Sequence, residues 1–112
     1  MIVEENIVLC GSSAYEKKYY LNPEFENDAD ANACAALAEK TKALGAVGIN
    51  FHHSHLTPPV LETFHAAGLP VSVWTVNEPE DIARVVALRP DNITSRRPDL
   101  VIAALRAAGY SL

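Results

Sequence analysis

Three short apolar runs, Ile7 to Cys10, Ala46 to Phe51 and Val71 to Val76, and a fourth short segment, Asp91 to Ser95, each lead into a stretch with helical spacing. Runs this short read as buried strands, because they carry too little polarity to leave either face in water. Asp28 or Asp30 caps the first expected helix, whose Cys34, Leu37, Ala38, Thr41 and Leu44 share one face before Gly45 stops it. Thr57 caps the second, Pro58-Pro59 fill its first turn, and Val60, Leu61, Phe64 and His65 line its face up to Gly68. Asn77 or Glu78 precedes the third, which buries Ile82, Val85 and Val86, with Glu78, Glu80 and Asp81 at its positive end. Pro98 and Asp99 open the fourth, which buries Leu100, Val101, Ala104 and Leu105 before Gly109.

Strands that alternate with helices in this way form parallel βα units, and four of them fill residues 1–112 as a single domain. Two architectures accept four units: a small open sheet with helices on both faces, or a segment of a TIM-type (βα)8 barrel, which takes about 250 residues in full. The expected fold class is α/β with a parallel sheet, half of such a barrel. The net charge of −5, with nine basic residues scattered along the chain, argues against a reader of nucleic-acid phosphates. Cys10 and Cys34 fall in apolar segments and read as buried thiols in a reducing compartment. No run approaches the roughly 18 apolar residues of a membrane span, and Met-Ile-Val-Glu-Glu has no basic leader, so a cytoplasmic location is expected.

Ligands of parallel βα folds meet the carboxyl ends of the strands, where loops and helix N-termini gather. Trp74, the only tryptophan, lies at such an end, with Asn77 just beyond it. An indole wall beside a helix N-terminus suits a small polyol with an attached anion, although a core tryptophan with one edge at the surface has the same spacing. Asn50 lies near the end of the second strand, His52 just after it and Arg96 after the fourth, so the candidate ligand-binding residues are Trp74, Asn77, Asn50, His52 and Arg96. The loop His52-His53-Ser54-His55 offers imidazoles for substrate lining or for loop packing, without a carboxylate or cysteine to complete a metal set. Arg96-Arg97 suits phosphate oxygens or plain solvation, and His65 suits a helix C-terminus. Tyr15, Tyr19 and Tyr20 with Lys17 and Lys18 make an amphipathic patch fit to cover a strand edge or a subunit contact.

The phrase "HAAGLPVSVWTVN", followed at the proper distance by "ITSRRPDL", resembles the C-terminal part of the glycerophosphodiester phosphodiesterase family. The resemblance covers Val47 to Gly109 well and Ile7 to Lys42 loosely. It implies a (βα)8 barrel that uses calcium or magnesium to cleave glycerophosphodiesters to an alcohol and glycerol 3-phosphate, with Trp74 on the glycerol side of the pocket. The family's metal-binding carboxylates and catalytic histidines sit in phrases that read like "HRG", "PENT" and "E.D", and none of these occurs here. Where the family's late strand leads into an acidic or amide residue, this chain has Ser95 or Arg96. The expectation is the C-terminal half of such an enzyme, a fragment of a longer chain, with no catalytic residue, metal ligand or cofactor of its own and no activity alone. A half-barrel exposes sheet edges, so self-association or pairing with a missing N-terminal half is expected, with a glycerol-phosphate-type ligand. The alternative is a small non-catalytic module that binds a phosphorylated ligand or a partner.

Overall fold

The computed structural model describes residues 3–4, 7–9, 20–21, 23 and 31–110. In chain order its elements are β1 (Val3–Glu4), β2 (Ile7–Leu9), β3 (Tyr20–Leu21), α1 (Ala31–Ala43) and β4 (Gly48–His52). There follow a 3-10 turn (His53–His55), α2 (Pro58–Ala66), β5 (Val71–Trp74), α3 (Pro79–Leu88), β6 (Asn92–Thr94) and α4 (Pro98–Ala107). The strands form one sheet in the order β1-β2-β6-β5-β4-β3. From β3 to β6 the strands are consecutive neighbours and all parallel.

Consecutive parallel strands joined by right-handed crossovers place every helix on the same side of the sheet. The packing bears this out and separates the two architectures. Ile49, Phe51, Val71, Val73 and Ile93 form one apolar cluster with Cys34 and Ala38 of α1, Val60 and Phe64 of α2, Val85 of α3 and Val101 of α4. Phe51 and Phe64 anchor it, with ring centroids 6.1 Å apart. The opposite face carries a polar row, Asn50, Ser72 and Asn92, paired in register across β4, β5 and β6. An open doubly wound sheet would show apolar side chains on both faces. Helices on one face only are the arrangement of a barrel arc.

Tyr20 supports the same curvature. Its ring lies against Gly48, and its hydroxyl accepts a hydrogen bond from Asn92 Nδ2 at 3.3 Å. Asn92 stands on β6, with β5 and β4 between it and β3. Side chains meet across two intervening strands on the hollow side of a curled sheet, not along a flat one.

The first expected unit needs correction. The run from Ile7 is not the opening parallel strand: β2 lies antiparallel to β6 and antiparallel to β1, which places a hairpin along the outer edge of β6. The parallel series opens instead with Tyr20–Leu21, inside the tyrosine-rich stretch read as a connection. A three-residue apolar run satisfies either strand direction, so only the pairing decides. Val47 precedes β4 and is 52% exposed, and Leu44, expected inward, is 62% exposed. His65, expected on the inward face of α2, is exposed, and Leu37, Leu100 and Ala104 are only partly buried; Thr41 is among the buried positions of α1.

The local signals at the helix ends also hold. Thr57 Oγ1 accepts from Val60 N at 3.4 Å, with proline in the first turn of α2. Gly68 takes φ 78° beyond α2, and Gly109 φ 93° beyond α4. Helix α3 ends on Arg89 at φ 59°, an unusual left-handed position for a side chain. Its guanidinium reaches Ala108 O at 3.4 Å and stands 4.9 Å over the Tyr110 ring, contacts that offset the strain. Cys34 is a buried thiol, whereas Cys10 and the cap residues Asp28 and Asp30 lie outside the described residues. No helix among the described residues is long and apolar enough to cross a membrane.

Candidate functional site

The carboxyl ends of β4, β5 and β6 carry the candidate residues, because parallel strands end on one rim. His52 and Trp74 are partners in register, the last residues of β4 and β5. Their rings meet edge to face, with centroids 5.0 Å apart and planes at 88°. Two residues deeper on the same face, Asn50 is only 4% exposed, so it belongs to the buried polar row rather than to the lip. The same row holds Ser72, whose Oγ has no hydrogen-bond partner among the described residues. Trp74 is 40% exposed, one of the few large apolar side chains to face solvent. The rim therefore has an apolar wall over a polar floor.

Asn77 does not cap α3. Glu78 takes the cap position without a side-chain hydrogen bond, and Asn77 turns to the neighbouring loop. Its Oδ1 accepts from Arg96 N at 2.8 Å and lies 3.5 Å from Ser95 Oγ, which in turn accepts from Arg97 N at 2.9 Å. Asn77 thus ties the β5–α3 loop to the β6–α4 loop. Arg96 is brought to it through its backbone, while the guanidinium stays exposed at the rim. Arg97 is taken by Asp99 through two hydrogen bonds, of 3.2 and 3.0 Å, which holds the Asp99 carboxyl below its usual range. Only Arg96 of the arginine pair keeps its charge available to a ligand.

The 3-10 turn packs its histidines together. His52 and His53 stack at 4.4 Å, and His55 approaches His52 at 6.4 Å. His52 Nδ1 accepts from Ser54 N at 3.1 Å, with Ser54 Oγ 2.8 Å away. Across 31 residues of sequence, Arg84 of α3 reaches His53: Nη2 lies 2.7 Å from Nδ1, and Nη1 donates to the carbonyl at 3.3 Å. Burial, together with neighbouring His52 and Arg84, lowers the His53 pKa against the opposing pull of Asp81. These surroundings favour the neutral form of His53. Nothing in the local sequence announces the Arg84 contact.

The donor set does not fit a calcium or magnesium ion, which takes six or more oxygen ligands. Among the described residues no three His, Cys, Asp or Glu side chains gather to hold a metal. Asp91 accepts from Val71 N and pairs with His65 Nε2, both at 2.7 Å, on the helical side of the sheet. Asp81 faces Arg84 at 3.6 Å, and Asp99 faces Arg97. These carboxylates brace helices and loops instead of converging on the rim.

Comparison with known proteins gives these features a context. The sequence model of the glycerophosphoryl diester phosphodiesterase family matches residues 8–100. Among solved structures, the chain is similar to a candidate glycerophosphoryl diester phosphodiesterase from Silicibacter pomeroyi DSS-3, with a TM-score of 0.64 and 27% identity. That match covers 80% of this chain and 28% of the other, so the chain spans under a third of that protein. A search of curated proteins gave no match.

Proposed function

From the premise that the chain belongs to the glycerophosphoryl diester phosphodiesterase family, we propose that it supplies the ligand lip of a phosphodiesterase-type barrel without the cleaving apparatus. The observation that supports this reading most is Trp74, half exposed on the rim and set edge-on against His52. An exposed indole above a polar floor favours the carbon flank of a glycerol unit, with its phosphate turned toward the imidazoles and Arg96. Cleavage of a phosphodiester by this route needs a cation cage and an acid and base on opposite sides of phosphorus. Asp81, Asp91 and Asp99 are engaged by neighbouring side chains and no three ligating side chains gather among the described residues, so on this reading the cage and the acid–base pair come from elsewhere. The chain alone is expected to bind glycerol phosphates and to hydrolyse nothing. Glycerophosphocholine incubated with the chain and calcium or magnesium gives no product in excess of a blank, and robust metal-dependent turnover would refute the reading.

A second reading, the non-catalytic binding module, is favoured by the hairpin. The outer edge of β6, which a closed barrel would use, is occupied by antiparallel β2. One of the two edges expected to self-associate is thereby covered. The two-residue strand β3 still ends the other side of the sheet, so pairing with a second copy or with an N-terminal half remains a route to a larger barrel. Sedimentation separates the readings: a monomer at all concentrations supports the module, and a concentration-dependent dimer supports edge pairing.

A further inference from the structure

We propose that His52 and His53 form a two-donor site for phosphate oxygens, a pair of imidazoles that presents N–H groups and no free lone pair. The argument starts from their partners. A backbone N–H can only donate, so the Ser54 N–H at 3.1 Å requires His52 Nδ1 to accept. A guanidinium also only donates, so Arg84 Nη2 at 2.7 Å requires His53 Nδ1 to accept. A neutral imidazole that accepts at Nδ1 carries its proton at Nε2. Both rings are fixed in the same tautomer, each with one N–H left for a ligand.

This pattern selects against metals. A histidine ligand that binds through Nε2 donates its Nδ1–H to an acceptor, the reverse of what Ser54 and Arg84 impose. For either ring to bind zinc, it would have to give up its Nδ1 contact. The stacking at 4.4 Å holds the two rings against each other, and burial of His53 disfavours its charged form. Arg84, itself 3.6 Å from Asp81, stands behind the pair as its cationic donor, and Trp74 closes one side against His52. Neutral donors backed by a cation suit phosphate oxygens. The choice of phosphate rests on the functional reading above; the donor pattern rests on the ring partners alone.

The test uses the full chain labelled with 15N and long-range 1H–15N correlation of the histidine rings. Both His52 and His53 are expected as Nε2–H tautomers, with saturable shifts at both Nε2 nitrogens on addition of inorganic phosphate and none on addition of zinc. An Nδ1–H tautomer at either ring, zinc saturation at the pair, or phosphate that leaves both rings unmoved would overturn the proposal. Arg84→Met is expected to release the His53 tautomer and weaken phosphate binding about fivefold, while Arg84→Lys, still a donor, restores much of it. Unchanged His53 nitrogens in a folded Arg84→Met protein would count against it. Trp74 emission with glycerol 3-phosphate distinguishes the two failures. Quenching without histidine shifts sinks the donor pair alone, and histidine shifts with phosphate but no response of Trp74 sink the glycerol lip alone.

Discussion

Replacing Gly48 by alanine should unsettle the hollow face of the sheet more than any single methyl group normally would. A Cβ at this position would lie 2.6 and 2.7 Å from two Tyr20 ring carbons and 2.9 Å from Pro70 O. Ordinary carbon contacts are about 3.5–4.0 Å, so the overlap approaches 1 Å. Pro70 O cannot retreat without loosening the strand ladder, since it accepts from Ile49 N at 3.0 Å. Tyr20 must therefore move, which costs about 1–3 kcal/mol in overpacking. If its hydroxyl leaves Asn92, a buried polar group loses a partner at a cost of about 1–3 kcal/mol more. A total near 3 kcal/mol is a large share of the roughly 5–15 kcal/mol that hold a typical domain. Urea unfolding followed by Trp74 emission should show the midpoint fall by about 2 M at an m-value of about 1.5 kcal/mol/M. Gly48→Ala in a Tyr20→Ala background should cost far less. The reasoning fails if Gly48→Ala costs under about 0.5 kcal/mol, or costs the same with and without the tyrosine ring.

Other consequences are as specific. Asp91→Ala removes the acceptor of the buried Val71 N–H and should lower stability by about 2 kcal/mol, whereas Asp91→Asn, which keeps an acceptor, should lower it by less than about 1, both read from urea midpoints. Asn77→Ala frees the β6–α4 loop from the β5–α3 loop and should raise hydrogen exchange at the Arg96 and Arg97 amides about tenfold or more, with the core amides unchanged. His53 gives the stability curve an acid limb. Its folded pKa is lowered, so the unfolded chain binds the proton first, and its contribution is present above about pH 6.5 and lost as pH falls through the lowered value. His53→Gln should flatten that limb in unfolding curves taken between pH 7.5 and 5.

The last three βα units were legible because each carried its own start and stop. Thr57 with two prolines, Pro79 among three acids and Pro98 before Asp99 each mark a helix whatever it packs on. The first unit carried such marks on its helix, with Gly45 as the stop, but none on its strand. Ile7–Leu9 is apolar in the same way whether it runs with or against its neighbour, and a two-residue strand at Tyr20–Leu21 is too short for any period to show. At the site, a lone tryptophan at a strand end was a sound signal for the rim, and His52 followed from its position one strand over. The depth of Asn50 was also written in the chain, since Gly48, Asn50 and His52 alternate onto one face and only the last reaches the end. Of the two cap candidates the structure takes Glu78, and the Asn77 acceptor goes to the Arg96 N–H, 19 residues on. The pairings of Arg84 with His53 and of Tyr20 with Asn92 join distant segments, and no local pattern encodes them.

A phosphorus NMR spectrum of glycerophosphocholine mixed with the chain, in the presence of calcium or magnesium, reports holding and breaking at once. The lip without its cation cage predicts a substrate line that broadens with protein, regains its width with Trp74→Ala, and never gives way to a glycerol 3-phosphate line. A product line that grows with time and depends on the metal would contradict the account, as would a substrate line that the protein leaves untouched.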